Sequence, residues 1–140
     1  EWISMAQEGD HFRLTFDQPG TWSQKYNLIW DKILKLEIFP KEVAKKEISY
    51  YLTKQNAYGL PLDSRRTYTK SDWIMWTATL ADDYEVFRKI TDPVWRYADE
   101  TSTRIPLSDW HETTDGRSVG FRARSVVGGY HMKMLAQKLK

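Results

Sequence analysis

Three aspartates in polar, aromatic-rich segments are the residues whose types best suit proton-transfer chemistry. Asp72 and Asp109 each occupy the middle of a Ser-Asp-Trp triplet, and Asp63 stands in a turn-rich segment two residues before an arginine. Two carboxylates that face one cavity can divide the roles of acid and base when their surroundings separate their pKa values. Asp63, Asp72 and Asp109 are therefore the candidate catalytic residues.

Arginine and tryptophan side chains beside these acids are the candidate substrate-binding residues. Arg65 and Arg124 can bind a carboxylate through paired hydrogen bonds. Trp73 and Trp110 directly follow two of the acids and offer aromatic faces for stacking. These four side chains could form part of the wall of a polar cavity.

Local structural roles compete with each of these assignments. Ser71 suits the N-cap of a helix, and Asp72 is favourable in a first helical turn. Asp63 can close a turn onto Arg65, and Arg124 can pair with one of the acids rather than with a ligand. The sequence leaves the catalytic and the structural alternatives open.

Several other kinds of site lack the residues they need. The chain has no cysteine, which excludes disulfides, thiolate metal ligands and cysteine nucleophiles. His11, His111 and His131 do not have the spacing of a zinc motif, and Ser125 lacks the surroundings of a nucleophile elbow. We expect neither a metal nor a cofactor.

Charge and length narrow the possible partners. The 140 residues include 21 basic and 19 acidic side chains, a net charge of +2, which gives no electrostatic basis for binding nucleic acid or an anionic membrane. No apolar run approaches the roughly 20 residues of a membrane span.

Seven Trp, eight Tyr and five Phe predict a folded core, and the length predicts one domain over residues 1–140.

Hydrophobic periodicity predicts an all-α fold. The apolar spacing predicts helices over residues 23–37, 40–55, 72–81, 84–100 and 123–139. The helix over 72–81 has almost no polar face and should be central. Asp92-Pro93 predicts a bend where the fourth helix restarts. Only residues 11–16 alternate like a strand.

Two further patterns concern the arrangement of these helices. Gly128-Gly129 within the last helix predicts the close approach of a neighbouring helix or ring. Proline-containing loops around Pro19, Pro61 and Pro106 recur with a period of about 40 to 45 residues, which is typical of stacked helical hairpins. We expect three consecutive hairpins, with the three acids at one end opening toward a shared concave surface.

Several segments resemble the C-terminal region of the glutaminase A-like family, long known only as a domain of unknown function. They include Tyr-Gly-Leu-Pro-Leu-Asp-Ser-Arg at 58–65, Tyr-Thr-Lys-Ser-Asp-Trp at 68–73 and Ala-Arg-Ser-Val-Val-Gly-Gly-Tyr at 123–130. The resemblance also covers residues 20–28 and 108–110 in the same order. It implies an (α/α)6 toroid of the six-hairpin glycosidase-like type, of which this chain would be about the C-terminal half.

The resemblance implies an amidohydrolase that converts L-glutamine to L-glutamate and ammonia, secreted or periplasmic. Both ends of the chain fall within helical patterns, so we expect a fragment that is inactive alone and whose partners are a small polar substrate and the remaining half of the polypeptide. Two alternatives remain: part of a carbohydrate-processing toroid, or a non-catalytic helical interaction domain. An amidohydrolase should pair its acids with an arginine, and a sugar site should present an open aromatic platform.

Overall fold

The computed structural model describes residues 1–103 and 107–139. Within them lie six α-helices: α1 Trp2–Ala6, α2 Leu28–Leu34, α3 Lys41–Leu52, α4 Ser71–Thr79, α5 Tyr84–Glu100 and α6 Met132–Lys138. A 3-10 helix, Ser125–His131, precedes α6. Strands β1 Gln7–Glu8 and β2 His11–Phe12 form one antiparallel pair, and β3 Tyr68–Lys70 and β4 Trp110–Glu112 form another. The predicted helical character is confirmed, with a little sheet in addition.

Helix α4 lies at the centre of the fold, as its apolar sequence predicts. It contacts α2, α5, the 3-10 helix and α6. Ile74 and Ala78 of α4 are fully buried, and Ile29 of α2 and Ile90 of α5 belong to the same hydrophobic core. The residues of α4 are therefore held by neighbours on several sides.

Helix α2 begins at Leu28, five residues later than predicted. The backbone N–H of Gln24 donates to Leu62 O at 2.9 Å, and that of Lys25 donates to the Tyr51 hydroxyl at 2.9 Å. The Gln24 side chain is also buried, and donates to the carbonyls of Leu60 and Pro61. These long-range bonds replace the helical bonds that the periodicity alone suggests.

Helix α5 runs unbroken through Pro93, so the predicted restart of the helix at Asp92-Pro93 is wrong. Asp83 caps the helix by accepting from the N–H of Val86 at 2.9 Å. Proline has no N–H to donate to the carbonyl of Lys89, four residues earlier. The side chain of Gln55 donates to that carbonyl instead, at 3.0 Å.

The predicted helix over 123–139 is divided between the 3-10 helix and α6. The predicted close approach is confirmed at Gly129, where an added Cβ would lie 2.7 Å from Trp76 Nε1 and 3.1 Å from Asp72 Cβ. The prediction is wrong for Gly128, which has no described atom within 4 Å of such a Cβ. Gly129 thus allows the 3-10 helix to lie directly on α4.

A buried polar cluster joins the β1–β2 pair to α3. Glu47 accepts from the backbone N–H of Phe12 at 2.6 Å and from the hydroxyl of Tyr51, with Lys25 Nζ 3.7 Å away. Burial raises the pKa of Glu47, while Lys25 and these hydrogen bonds act in the opposite direction. Of the predicted extended residues 11–16, only His11 and Phe12 form a strand.

No helix within residues 1–103 and 107–139 is long and apolar enough to cross a membrane. The same residues contain no group of three side chains placed to hold a metal ion. Pro106, one of the prolines in the predicted repeat, lies outside the described residues.

Candidate active site

The pairing of β3 with β4 brings the two Ser-Asp-Trp triplets together. Lys70 lies opposite Trp110 in this ladder, and the backbone N–H of Ser71 donates to Asp109 O at 2.7 Å. Ser71 is therefore the first residue of α4 rather than its N-cap, which corrects the prediction from the sequence. Its hydroxyl lies 2.6 Å from that of Tyr130.

Asp72 and Asp109 are both buried at this junction, with exposed fractions of 5% and 1%. Burial, together with the nearby charge of Asp109, raises the pKa of Asp72 to about 6. The backbone amides of Asp72 and Trp73 and the charge of Lys70 act in the opposite direction. Asp72 can therefore exchange a proton close to neutral pH.

Asp109 lies between two basic side chains. Its Oδ2 is 3.3 Å from Lys70 Nζ, and its Oδ1 is 3.8 Å from Arg124 Nε. The amine of Lys70 also lies 4.2 Å from the centre of the Trp110 ring. Asp109 thus has two basic neighbours, whereas Asp72 is buried with a second carboxylate nearby.

Asp63 forms its hydrogen bonds with Arg65 and does not belong to the pair of acids at the β3–β4 junction. Its Oδ1 accepts from the backbone N–H and Nε of Arg65 at 2.9 and 3.0 Å, and its Oδ2 accepts from Nη2 at 2.7 Å. Burial acts to raise the pKa of Asp63, but the bonds from Arg65 outweigh it and the pKa is lowered. Asp63 therefore serves in the structure to orient Arg65.

Arg65 lies on the wall of a cavity of about 500 Å³. Trp73 also lines this cavity and stacks on Tyr26, with ring centroids 4.2 Å apart and an interplanar angle of 7°. Burial, followed by the charge of Asp72, raises the pKa of Tyr26. Both stacked rings thus belong to the cavity wall, and Trp73 directly follows Asp72 in α4.

The structure places the seven candidate residues in two neighbouring groups. One group contains Asp72, Asp109, Trp110 and Arg124 at the β3–β4 junction, and the other contains Asp63, Arg65 and Trp73 at the cavity. Reasoning from the sequence missed Lys70, Tyr26 and Trp76. Lys70 precedes the first Ser-Asp-Trp triplet, but only the strand pairing shows that it faces Asp109.

His111, next to Trp110, is a structural residue. It is fully buried, its ring stacks on Tyr97 with centroids 3.7 Å apart, and its Nε2 lies 2.7 Å from Tyr58 O. Burial lowers the pKa of His111 to about 4, so the ring is neutral at physiological pH and donates from Nε2. This hydrogen bond links β4 to the backbone at Tyr58.

Comparisons with known proteins identify the family of the chain. The sequence model of the family described as the glutaminase A six helical-hairpin domain matches residues 1–134. A probable glutaminase of Arthroderma benhamiae is 30% identical over 168 residues, covering 99% of this chain and 19% of that protein. Glutaminase A of Aspergillus oryzae is 33% identical over 122 residues, covering 85% of this chain and 18% of that protein. The chain thus spans about a fifth of the length of these relatives. No solved structure shows a significant match.

Proposed function

Because this chain belongs to the family of the glutaminase A six helical-hairpin domain, we propose that it is part of an amidohydrolase that converts L-glutamine to L-glutamate and ammonia. The observation that carries the proposal within the family is the pair of buried carboxylates with unlike surroundings at the β3–β4 junction. In this proposal the chain supplies part of the active-site wall of an (α/α)6 toroid. The rest of the same polypeptide supplies the remainder.

Asp72 and Asp109 divide the proton transfers in this mechanism. Asp109, which lies between Lys70 and Arg124, accepts a proton from water as the water oxygen bonds to the carboxamide carbon. Asp72 gives its proton to the nitrogen as the C–N bond breaks, which releases ammonia and leaves a carboxylic acid. Transfer of the proton from Asp109 to Asp72 restores both groups, so one water is consumed in each cycle.

The neighbouring cavity is the place proposed for the body of the substrate. Asp63 holds Nε and Nη2 of Arg65, a residue of the cavity wall, so the guanidinium is pre-oriented while Nη1 takes no part in these bonds. That atom can donate to the α-carboxylate of glutamine. Arg124 is less suited to this role because it already faces Asp109 and the ring of Phe121.

The two alternatives fit the observed contacts less well. A sugar site needs an open ring face, but Tyr26 covers one face of Trp73, and Lys70 lies over the ring of Trp110. A non-catalytic docking module has no need of two buried acids beside two basic groups. The amidohydrolase therefore remains the better explanation of the site.

The family also suggests the setting of the protein. Leu34, Leu36 and Ile38 are more than half exposed at the connection between α2 and α3, and an apolar surface of this kind suits contact with the remaining part of the polypeptide. A secreted or periplasmic location is proposed from the family resemblance alone.

The test of this function is ammonia release from L-glutamine by the longer polypeptide that contains this chain. We expect Asp72→Asn to lower kcat at least about a hundredfold, because a neutral amide cannot transfer the proton. Asp99→Asn is the matched control, since Asp99 is exposed on α5. Full activity of the Asp72→Asn protein, or release of reducing sugar from a glycoside panel in place of ammonia, would rule out the proposal.

A further inference from the structure

Four buried polar atoms around the acid pair have no hydrogen-bond partner among residues 1–103 and 107–139. They are Asp72 Oδ1, Asp109 Oδ1, Trp76 Nε1 and Trp110 Nε1. Buried polar groups in folded proteins are almost always hydrogen-bonded, so a cluster of orphans needs an explanation. Two of these atoms are acceptors and two are donors. A ligand that carries both hydrogen-bond donors and acceptors could therefore bind to them.

Asp72 and Trp76 are the two members of this cluster that belong to α4. They lie four residues apart on α4, and so on the same face of that helix. Both approach Gly129, since an added Cβ there would lie 2.7 Å from Trp76 Nε1 and 3.1 Å from Asp72 Cβ. The indole donor of Trp76 and the Cβ that carries the carboxylate of Asp72 therefore both lie close to Gly129.

The segment above them has the features of a removable cover. No residue of the 3-10 helix Ser125–His131 is fully buried, although Tyr130 packs against the hydrophobic core. Hydrogen bonds of a 3-10 helix are weaker than α-helical ones. A Cβ at Gly128 would meet no described atom within 4 Å. The hydroxyl of Tyr130 fastens the segment to α4 through the hydroxyl of Ser71, 2.6 Å away.

We propose that Ser125–His131 is a cover that lifts from α4, and that Asp72 and Trp76 then bind the primary carboxamide of the substrate. The indole N–H of Trp76 donates to the carboxamide oxygen, and Asp72 Oδ1 accepts from its nitrogen. A carboxylate has no N–H to donate to Asp72 Oδ1, so the site distinguishes an amide from the acid it becomes. The choice of ligand rests on the proposed function.

The opening of the cover is tested by solvent exchange of the indole N–H groups. Seven indole signals are expected in the NMR spectrum of the chain, and Trp76→Phe identifies the one from Trp76. Tyr130→Phe removes the fastening bond, and we expect it to speed the exchange of the Trp76 indole about five-fold. Tyr58→Phe is the matched control because it removes a hydroxyl bond to Glu100, outside the site.

A pair of glycine variants tests the same cover without touching the tyrosine. Gly129→Ala places a methyl group where the closed segment leaves no room, so exchange of the Trp76 indole should again become faster. Gly128→Ala adds the same methyl group where no described atom lies within 4 Å, and should leave the exchange unchanged. Equal exchange in these two variants overturns the proposal.

Binding is measured with propionamide as the probe and propionate as its comparison. We expect propionamide to shift the Trp76 indole signal saturably and to bind about five-fold more tightly in the Tyr130→Phe protein, because the open state is more populated. Calorimetry should show binding about ten-fold weaker in the Trp76→Phe protein. Equal responses to propionamide and propionate contradict the proposal.

The two sets of experiments distinguish a failure of the proposed carboxamide site from a failure of the proposed function. If the longer polypeptide releases no ammonia from glutamine but propionamide binds through Trp76, the function fails and the carboxamide site stands. If ammonia release proceeds with unchanged kcat and KM in the Trp76→Phe protein, the carboxamide site fails and the function stands.

Discussion

Asp72 is a buried carboxyl group with a second carboxylate beside it. The pKa of Asp72 in the folded protein is about 6, compared with an ordinary value of 3.8. A raised pKa means that the folded state binds the proton more tightly than the unfolded state does. Stability from this group is therefore fully present below pH 3.8 and is lost as the pH rises through about 6.

Asp72→Asn should therefore stabilise the fold at neutral pH while it removes the proposed activity. We expect the free energy of unfolding at pH 7.5 to rise by about 2 to 3 kcal/mol, and the difference from the unmodified chain to fall toward zero near pH 3. Urea unfolding at several pH values measures it, with the exposed Asp99→Asn as control. If Asp72→Asn does not raise the free energy of unfolding at pH 7.5, the charge of Asp72 does not destabilise the fold.

His111 has the opposite dependence on pH. Its pKa is lowered to about 4 by burial, from an ordinary value of 6.5. Only the unfolded state takes up a proton between these values, so stability from this group is present above pH 6.5 and is lost as the pH falls toward 4.

The His111→Gln protein keeps a neutral N–H donor. Between pH 7 and pH 4 we expect its free energy of unfolding to fall by about 3 kcal/mol less than that of the unmodified chain. Thermal unfolding across this range is the measurement. His131→Gln serves as the control because His131 is exposed. The same pH slope in the His111→Gln and unmodified proteins contradicts the prediction.

At the scale of the element, α5 shows how a proline is accommodated inside a helix. The carbonyl of Lys89 loses its helical donor at Pro93 and gains one from the side chain of Gln55, across the interface with the end of α3. The compensation comes from a residue far away in the sequence. It explains why local signals predicted that the helix restarts there.

This compensation predicts coupling between Gln55 and Pro93. Gln55→Ala should lower the free energy of unfolding by about 1 kcal/mol, since it leaves the carbonyl of Lys89 without its donor. In a Pro93→Ala background the helical N–H is restored, and the same change should cost much less. A double-mutant cycle by urea unfolding measures the difference, and additive effects would show that the two residues are independent.

At the scale of the whole molecule, the chain covers about a fifth of its curated relatives. In the proposed function the active-site wall is therefore completed by other parts of the polypeptide. Positioning errors of about 1 Å can lower a rate a hundredfold. We expect the purified 140-residue chain to fold but to release no ammonia from L-glutamine, as followed by a coupled ammonia assay. Turnover by the chain alone would show that its site is self-contained.

Local signals determined much of the fold. The apolar spacing of residues 40–55, 72–81 and 84–100 predicted α3, α4 and α5 with ends within a few residues, because helical periodicity and caps act between residues close in the chain. The lack of a polar face likewise predicted the central position of α4. The ordered set of matching segments was sufficient to identify the family.

The tertiary structure alone decided the chemistry of the acids. Strands β3 and β4 have three residues each, too few to show a clear alternation, yet their pairing places Lys70 beside Asp109 and Asp109 beside Asp72. The sequence presented three equivalent aspartates. Burial raises the pKa of one, two cations flank another, and Arg65 engages the third, because a carboxylate responds to the atoms folded around it and not to its neighbours in the chain.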